Sequence, residues 1–202
     1  LINTLGLAEP IDATALIERV RYVKSDREMD YIRQAAAIAE RGLARLRASL
    51  AAGVSEIELA GLIESEMREA GSEYPAMPTW LSSGTRTRGS HRTPTARRVA
   101  RGEPIKCEFA GVIRRYHAVT MQTLWCGEPS ADARRTYDAV LESLRAGSRA
   151  IADGVPVAKV EEAAFGPLSA AGFATSMHMR FGYGVSAAYP PTWLEGLDIT
   201  RE

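Results

Sequence analysis

Apolar positions along the chain fall into two helix-like blocks separated by one strand-like block. Met29, Ile32, Ala36, Ala39, Leu43 and Leu46 recur at helical spacing, and the run opens with Ser25 followed by Glu28, a capping-box pattern. Gly53 ends it. A second helix starts near Ser55, again with S-x-x-E at Ser55 and Glu58, and runs through Leu59, Leu62, Ile63 and Met67 to Gly71. The stretch Ile105–Trp125 then switches to β-formers between two turn signals, Gly102-Glu103-Pro104 and Gly127-Glu128-Pro129. Inside it, Gly111 with Arg114 and Arg115 suggests a turn, so the stretch reads as a two-strand hairpin. Helical spacing returns at Ala133–Ala152, capped by Ser130, with Tyr137, Val140, Leu141 and Leu144 as its apolar stripe and Gly154 as its stop. A fourth helix runs from about Val157 to Ala171 and ends at Gly172.

These blocks repeat. Ala52-Gly53-Val54 is echoed by Asp153-Gly154-Val155, and Ala70-Gly71 by Ala171-Gly172, each at an offset of 101 residues. Both halves read helix, Gly-Val turn, helix, Ala-Gly stop, extended chain. Such an order implies two pseudo-symmetric halves with a site at their junction. Residues 1–23 read as a linker or edge segment, and 72–101 as a long, poorly periodic region of the kind that carries function.

Composition narrows the function classes. A chain of 202 residues, 46% of them hydrophobic, supports one folded domain with a real core. The 25 basic and 25 acidic residues cancel, so no global field favours nucleic acid or an anionic membrane. No apolar run is long enough to span a membrane and the N-terminus lacks a signal-peptide pattern, which makes a cytoplasmic location the default. Cys107 and Cys126 lack metal-ligand spacing and suit reduced, buried positions.

Candidate chemistry centres on Glu108, flanked by Cys107, Phe109 and Ala110 in the first strand. A charge there is costly unless paired, liganded or protonated. Two readings fit: an ordinary half-buried hairpin with Glu108 paired to an Arg, or a functional carboxylate. Period two puts His117, Val119, Met121 and Thr123 on one face of the second strand. His91, in the long loop, is a further candidate, whereas His178 between two Met residues reads as packing.

Taken in order, Lys24-Ser25-x-x-Glu28, Ser83-Gly84, His91, Gly102-Glu103-Pro104-Ile105, the Glu108 strand, Tyr116 and Gly127-x-Pro129 resemble the "pita-bread" superfamily of methionine aminopeptidase, prolidase, aminopeptidase P and creatinase. The resemblance covers about 24–195. It implies an α+β pita-bread fold over 24–202, with two helix-helix-strand halves around a curved antiparallel sheet whose C-terminal strands are missing, so that the sequence is expected to be a fragment of a longer chain.

The family's peptidases hold two metal ions with two Asp, one His and two Glu, an arrangement that makes a bridging hydroxide and polarises the scissile carbonyl. Position by position, the Asp pair falls on Glu108 and Val119 and the His on Tyr183, while both Glu fall beyond Glu202. Val119 cannot bind a metal and neutral Tyr183 is a poor ligand, so no metal ligand and no cofactor is assigned. The pattern instead resembles the metal-independent branch, creatinase and ectoine hydrolase, which hydrolyse C–N bonds of small zwitterionic amidine-type compounds. Arg115-Tyr116-His117 and Gly182-Tyr183 followed by Tyr189-Pro190-Pro191-x-Trp193 lie closer to ectoine hydrolase.

In that reading His91 and Glu108 are catalytic: His91 moves protons, as an imidazole near neutrality does, and Glu108 pairs with a cationic amidine or orients water. Tyr116, His117, Tyr183 and Trp193 bind the substrate, and Trp193, Trp80 and Tyr189 offer an aromatic wall to a cation. The resemblance also implies a homodimer acting on a small molecule. Two alternatives stay open: an inactive binding module on the same fold, suggested by Gln122 in place of the family's usual Arg, and a proline-specific metallopeptidase.

Overall fold

The computed structural model describes residue 6, residues 11–173 and residues 180–199. His178 lies outside the described residues. The chain runs α1 (Thr14–Tyr22), α2 (Asp26–Ser49), α3 (Glu56–Glu69), β1 (Trp80–Ser83), a 3-10 turn (Gly84–Arg88), β2 (Pro104–Ile113), β3 (Tyr116–Trp125), α4 (Ala131–Ala150), α5 (Val157–Ala170), β4 (Gly182–Tyr189) and β5 (Thr192–Ile199). Among the described residues these strands form one antiparallel sheet in chain order.

Both sequence-predicted capping boxes close reciprocally: Ser25 and Ser55 accept from the backbones of Glu28 and Glu58, whose carboxylates accept from the cap backbones. The repeat is built as read. α2 and α4 end at Ser49 and Ala150, and α3 and α5 are 14 residues each at the same offset. The turns between the helices of each pair use Gly53 (φ 92°) and Gly154 (φ 76°), left-handed positions that a side chain would strain.

Alternation in β2 sorts the molecule into layers. Ile105, Cys107 and Phe109 point into a core with Leu43, Leu46, Leu59 and Ile63 of α2 and α3, while Glu108 belongs to the other face. Both cysteines are free and buried, and burial pushes the Cys107 thiol up to about 12, so it packs as a small apolar group.

Three differences from the sequence reading have clear causes. Residues 14–22, expected as linker or edge, form α1, which has no buried residue of its own and is tied down by Arg21 and by the neighbouring Lys24, both ion-paired to buried Glu195 of β5. Gly111 is not the turn; it lies in β2 beneath α2, where an added Cβ would strike the Ala35 carbonyl, so it permits close approach of helix and strand. The turn is Arg114-Arg115 (φ 50° and 69°), a two-residue loop in the left-handed region. That conformation is held because Glu73 accepts from both backbone N–H groups and Arg115 donates to the carbonyls of Tyr74 and Ala188. Third, the apolar stripe of α4 is not interred: Val140 and Leu144 are 52% and 54% exposed. The buried side of α4 is its small-residue side, where Ser143 donates to the Ala164 carbonyl of α5.

Candidate active site

Glu108 sits midway along β2, opposite Trp80 of β1 and Met121 of β3. The loop after the 3-10 turn brings His91 over it, with Nε2 of His91 3.5 Å from a Glu108 carboxylate oxygen. The His91 backbone is left-handed (φ 48°), and its ring lies 4.2 Å, centroid to centroid, from that of Trp80. Two cavities of about 180 Å³ each share His91, Glu108 and Met121. One extends past Trp80, Ser90 and Lys106, the other past Tyr183 and Trp193. Together they form a cleft along the face of β2 that points away from α2 and α3. A larger cavity, about 340 Å³, lies by Arg68, Glu73 and Thr79 and holds none of the predicted site residues.

Burial pushes the Glu108 carboxyl up to about 7, against the opposing pull of the Lys106 ammonium. Because its folded value exceeds the value of 4.5 it takes when unperturbed, the native state binds the extra proton between those limits, so stability falls as pH rises through this window. Glu108→Gln is therefore expected to be more stable than the parent above pH 7 by about 2–3 kcal/mol. The advantage should shrink to nothing below about pH 4.5, as read by urea denaturation across pH.

The loop that carries His91 is anchored by a residue the sequence reading did not single out. Glu56, the first residue of α3, is fully buried. One carboxylate oxygen accepts from the Ser83 backbone and hydroxyl, both at 2.8 Å. The other accepts from Arg86 at 2.9 Å and from the Thr95 backbone and hydroxyl at 3.1 and 2.8 Å. Ser83 and Thr95 bracket His91, so one carboxylate fixes both ends of the segment. Arg97 adds a second tie, bonding the Ser83 hydroxyl and Glu103. The available signal was an acidic residue directly after a helix cap, which reads equally well as a favourable helix-dipole charge.

The structure gathers only part of the predicted set. Trp193 is buried, donates from its indole to the Tyr183 hydroxyl at 3.2 Å, and stands edge-on to Trp80 at 5.7 Å. Tyr183 and Trp193 thus wall the cleft with Trp80. His117 shares their face but is spent: its Nε2 accepts from the Ala76 backbone at 2.9 Å and its Nδ1 faces the Arg115 carbonyl at 2.8 Å. An N–H and a carbonyl on those two nitrogens fix a neutral ring protonated at Nδ1, and burial holds its pKa below the ordinary value. His117 is a core histidine, not a substrate ligand. Tyr116 points to the opposite face, donating to Glu28 at 2.8 Å and packing on Tyr31 of α2. Strand alternation puts Tyr116 and His117 on different sides, so they cannot serve one site. Tyr189, 62% exposed, lies under the Arg115 guanidinium and lines neither cavity of the cleft.

Two of the positions that the resemblance gives to metal ligands offer no free donor. Val119 has no donor atom and packs with Trp80, Tyr183 and Trp193 in an apolar cluster, and the Tyr183 hydroxyl is engaged by Trp193. Among the described residues no three His, Cys, Asp or Glu side chains gather closely enough to hold a metal.

Residues 30–191 match the sequence profile described as metallopeptidase family M24. The chain belongs to that family. Among curated relatives, an uncharacterized hydrolase/peptidase of Sinorhizobium fredii is 31% identical over 91% of this chain and 47% of its own. The ectoine hydrolase of Halomonas elongata is 28% identical over 96% of this chain and 51% of its own. Among solved structures, an X-Pro aminopeptidase from Thermotoga maritima superposes with a TM-score of 0.87 at 26% identity, covering 99% of this chain and 56% of that one. A prolidase from Pyrococcus horikoshii gives 0.91 at 22% identity, which speaks for the fold alone. The chain spans about half the length of the curated relatives it matches. The pita-bread fold implied by the motifs is the fold observed.

Proposed function

We propose that this M24 chain carries the active-site half of a metal-independent hydrolase that cleaves a C–N bond in a small zwitterionic amidine-type compound, with His91 and Glu108 as its catalytic pair. The observation that carries the reading is the pairing of His91 with Glu108 in an aromatic-walled cleft, while Val119 stands where the resemblance calls for a metal ligand. Ionised Glu108 holds the cationic amidinium and Trp80, Tyr183 and Trp193 cover its faces. His91 accepts a proton from the attacking water and returns it to the departing nitrogen. The new C–O bond and the broken C–N bond leave an amide and an amine, with no redox partner. The likeness to ectoine hydrolase supports this substrate class. The reading includes a cytoplasmic homodimer; among the described residues no helix is long and apolar enough to cross a membrane.

The competing reading, a proline-specific metallopeptidase, is favoured by the likeness to the X-Pro aminopeptidase. Elemental analysis after exposure to manganese, cobalt or zinc and desalting separates the two when it is made on protein of full natural length, in which every ligand position of the family is present. No stoichiometric metal is the expected result, and about two ions per chain, the number a two-metal site holds, would restore the peptidase.

A further inference from the structure

Glu108 is not the only charge on the floor of the cleft. Lys106 lies two residues earlier on the same face of β2, flanked by its cross-strand partners Ser82 of β1 and Thr123 of β3. Same-face neighbours on a strand are about 6.5–7 Å apart, so the two opposite charges stand about one small ligand apart. Lys106 is half-buried and donates to the Gly89 carbonyl at 2.5 Å. An ammonium has three N–H groups, so two remain for other acceptors. Among the described residues no carboxylate forms an ion pair with it; Glu108 acts on it only through space, and Arg92 adds a second positive charge. The cavity on this side, about 180 Å³, is lined by Ser82, Ser90, Arg92 and Lys106 before it reaches Glu108. Hydroxyls and cations at one end and an anion with aromatic rings at the other make a site with two opposite poles.

We infer that Lys106, supported by Arg92, is the carboxylate-binding end of this cleft, so that a zwitterionic ligand lies along β2 with its cationic group on Glu108 and its carboxylate on Lys106. This rests on the proposed reading of Glu108 as the cation's partner. It adds a residue that fixes the direction in which the substrate lies and selects zwitterions over simple cations. Burial acts on both poles in the direction a bound zwitterion would relieve, lowering the pKa of Lys106 and raising that of Glu108.

Calorimetric titration at pH 8 with three probes tests it: creatine, which carries both charges, methylguanidine, which carries only the cation, and acetate, which carries only the carboxylate. Lys106→Met is expected to weaken creatine about tenfold or more and to leave methylguanidine unchanged, while Lys106→Arg keeps creatine within about threefold of the parent. Glu108→Gln should weaken creatine and methylguanidine and spare acetate. If Lys106→Met leaves creatine untouched, or weakens creatine and methylguanidine equally, the carboxylate assignment is overturned. Acetate bound in a Lys106-dependent way without any creatine or methylguanidine binding would uphold the anion pole and sink the amidine reading. Methylguanidine bound through Glu108, with neither creatine nor acetate sensitive to Lys106, would do the reverse, and no binding of any probe overturns both.

Discussion

Glu56→Ala is expected to lower the unfolding free energy by about 3–4 kcal/mol, a large share of the stability of a domain this size. The buried carboxylate accepts from two backbone N–H groups, two hydroxyls and the Arg86 guanidinium; alanine removes that acceptor from the Ser83 and Thr95 donors, while Arg86 keeps the Thr95 hydroxyl and the Thr93 carbonyl. Arg86 is 29% exposed, so water recovers part of the loss, which keeps the figure below the top of the range for a broken buried pair. Glu58→Ala is the control. It removes a carboxylate two residues along the same helix, but one that is itself exposed and closes only a capping box, and should cost much less. Urea denaturation of the two variants reads the difference; similar losses would mean that Glu56 is an ordinary helix-terminal charge and not the anchor of the His91 loop.

His91→Ala is expected to do the opposite, costing about 10²–10⁴-fold in amidine hydrolysis with little change in stability. The side chain is 46% exposed and its contacts are the Trp80 ring and one oxygen of Glu108, a carboxyl that can take up a proton when it loses this partner, so its removal should shift stability by no more than about 0.5 kcal/mol. The parent rate should rise with pH through about 7 as Glu108 ionises and becomes able to hold the cation. Steady-state kinetics across pH, beside a denaturation curve, checks both statements. A variant that keeps full activity would remove His91 from the chemistry.

Local rules made much of the fold legible and long-range contacts decided the rest. The capping boxes at Ser25 and Ser55 and the glycines at 53 and 154 act within a few residues of themselves, and the structure follows them closely. Gly111 was misread because its requirement comes from the Ala35 carbonyl of a different element, which no local window contains. The α1 helix escaped for the same reason: its hold is a pair of cations on Glu195, more than 170 residues away. In the site, Glu108 stood out because a carboxylate among apolar strand neighbours is expensive wherever it occurs, and the structure puts it at the floor of a cleft. Alternation already separated Tyr116 from His117, so motif likeness alone carried Tyr116 into the site. His117 lay on the correct face, but its occupancy by Ala76 and Arg115 depends on where a loop 41 residues earlier passes. Glu56 was hidden for that reason too, since its partners Ser83, Arg86 and Thr95 lie in a region without periodicity.

The most direct test of a metal-free hydrolytic cleft is product release from small amidines, creatine and ectoine among them, measured with a strong chelator present and again with added manganese. Turnover that is unchanged by chelator and abolished in His91→Ala is the predicted result. Turnover that requires manganese, or cleavage of Xaa-Pro dipeptides under the same conditions, would contradict it and return the chain to the metallopeptidases of its family.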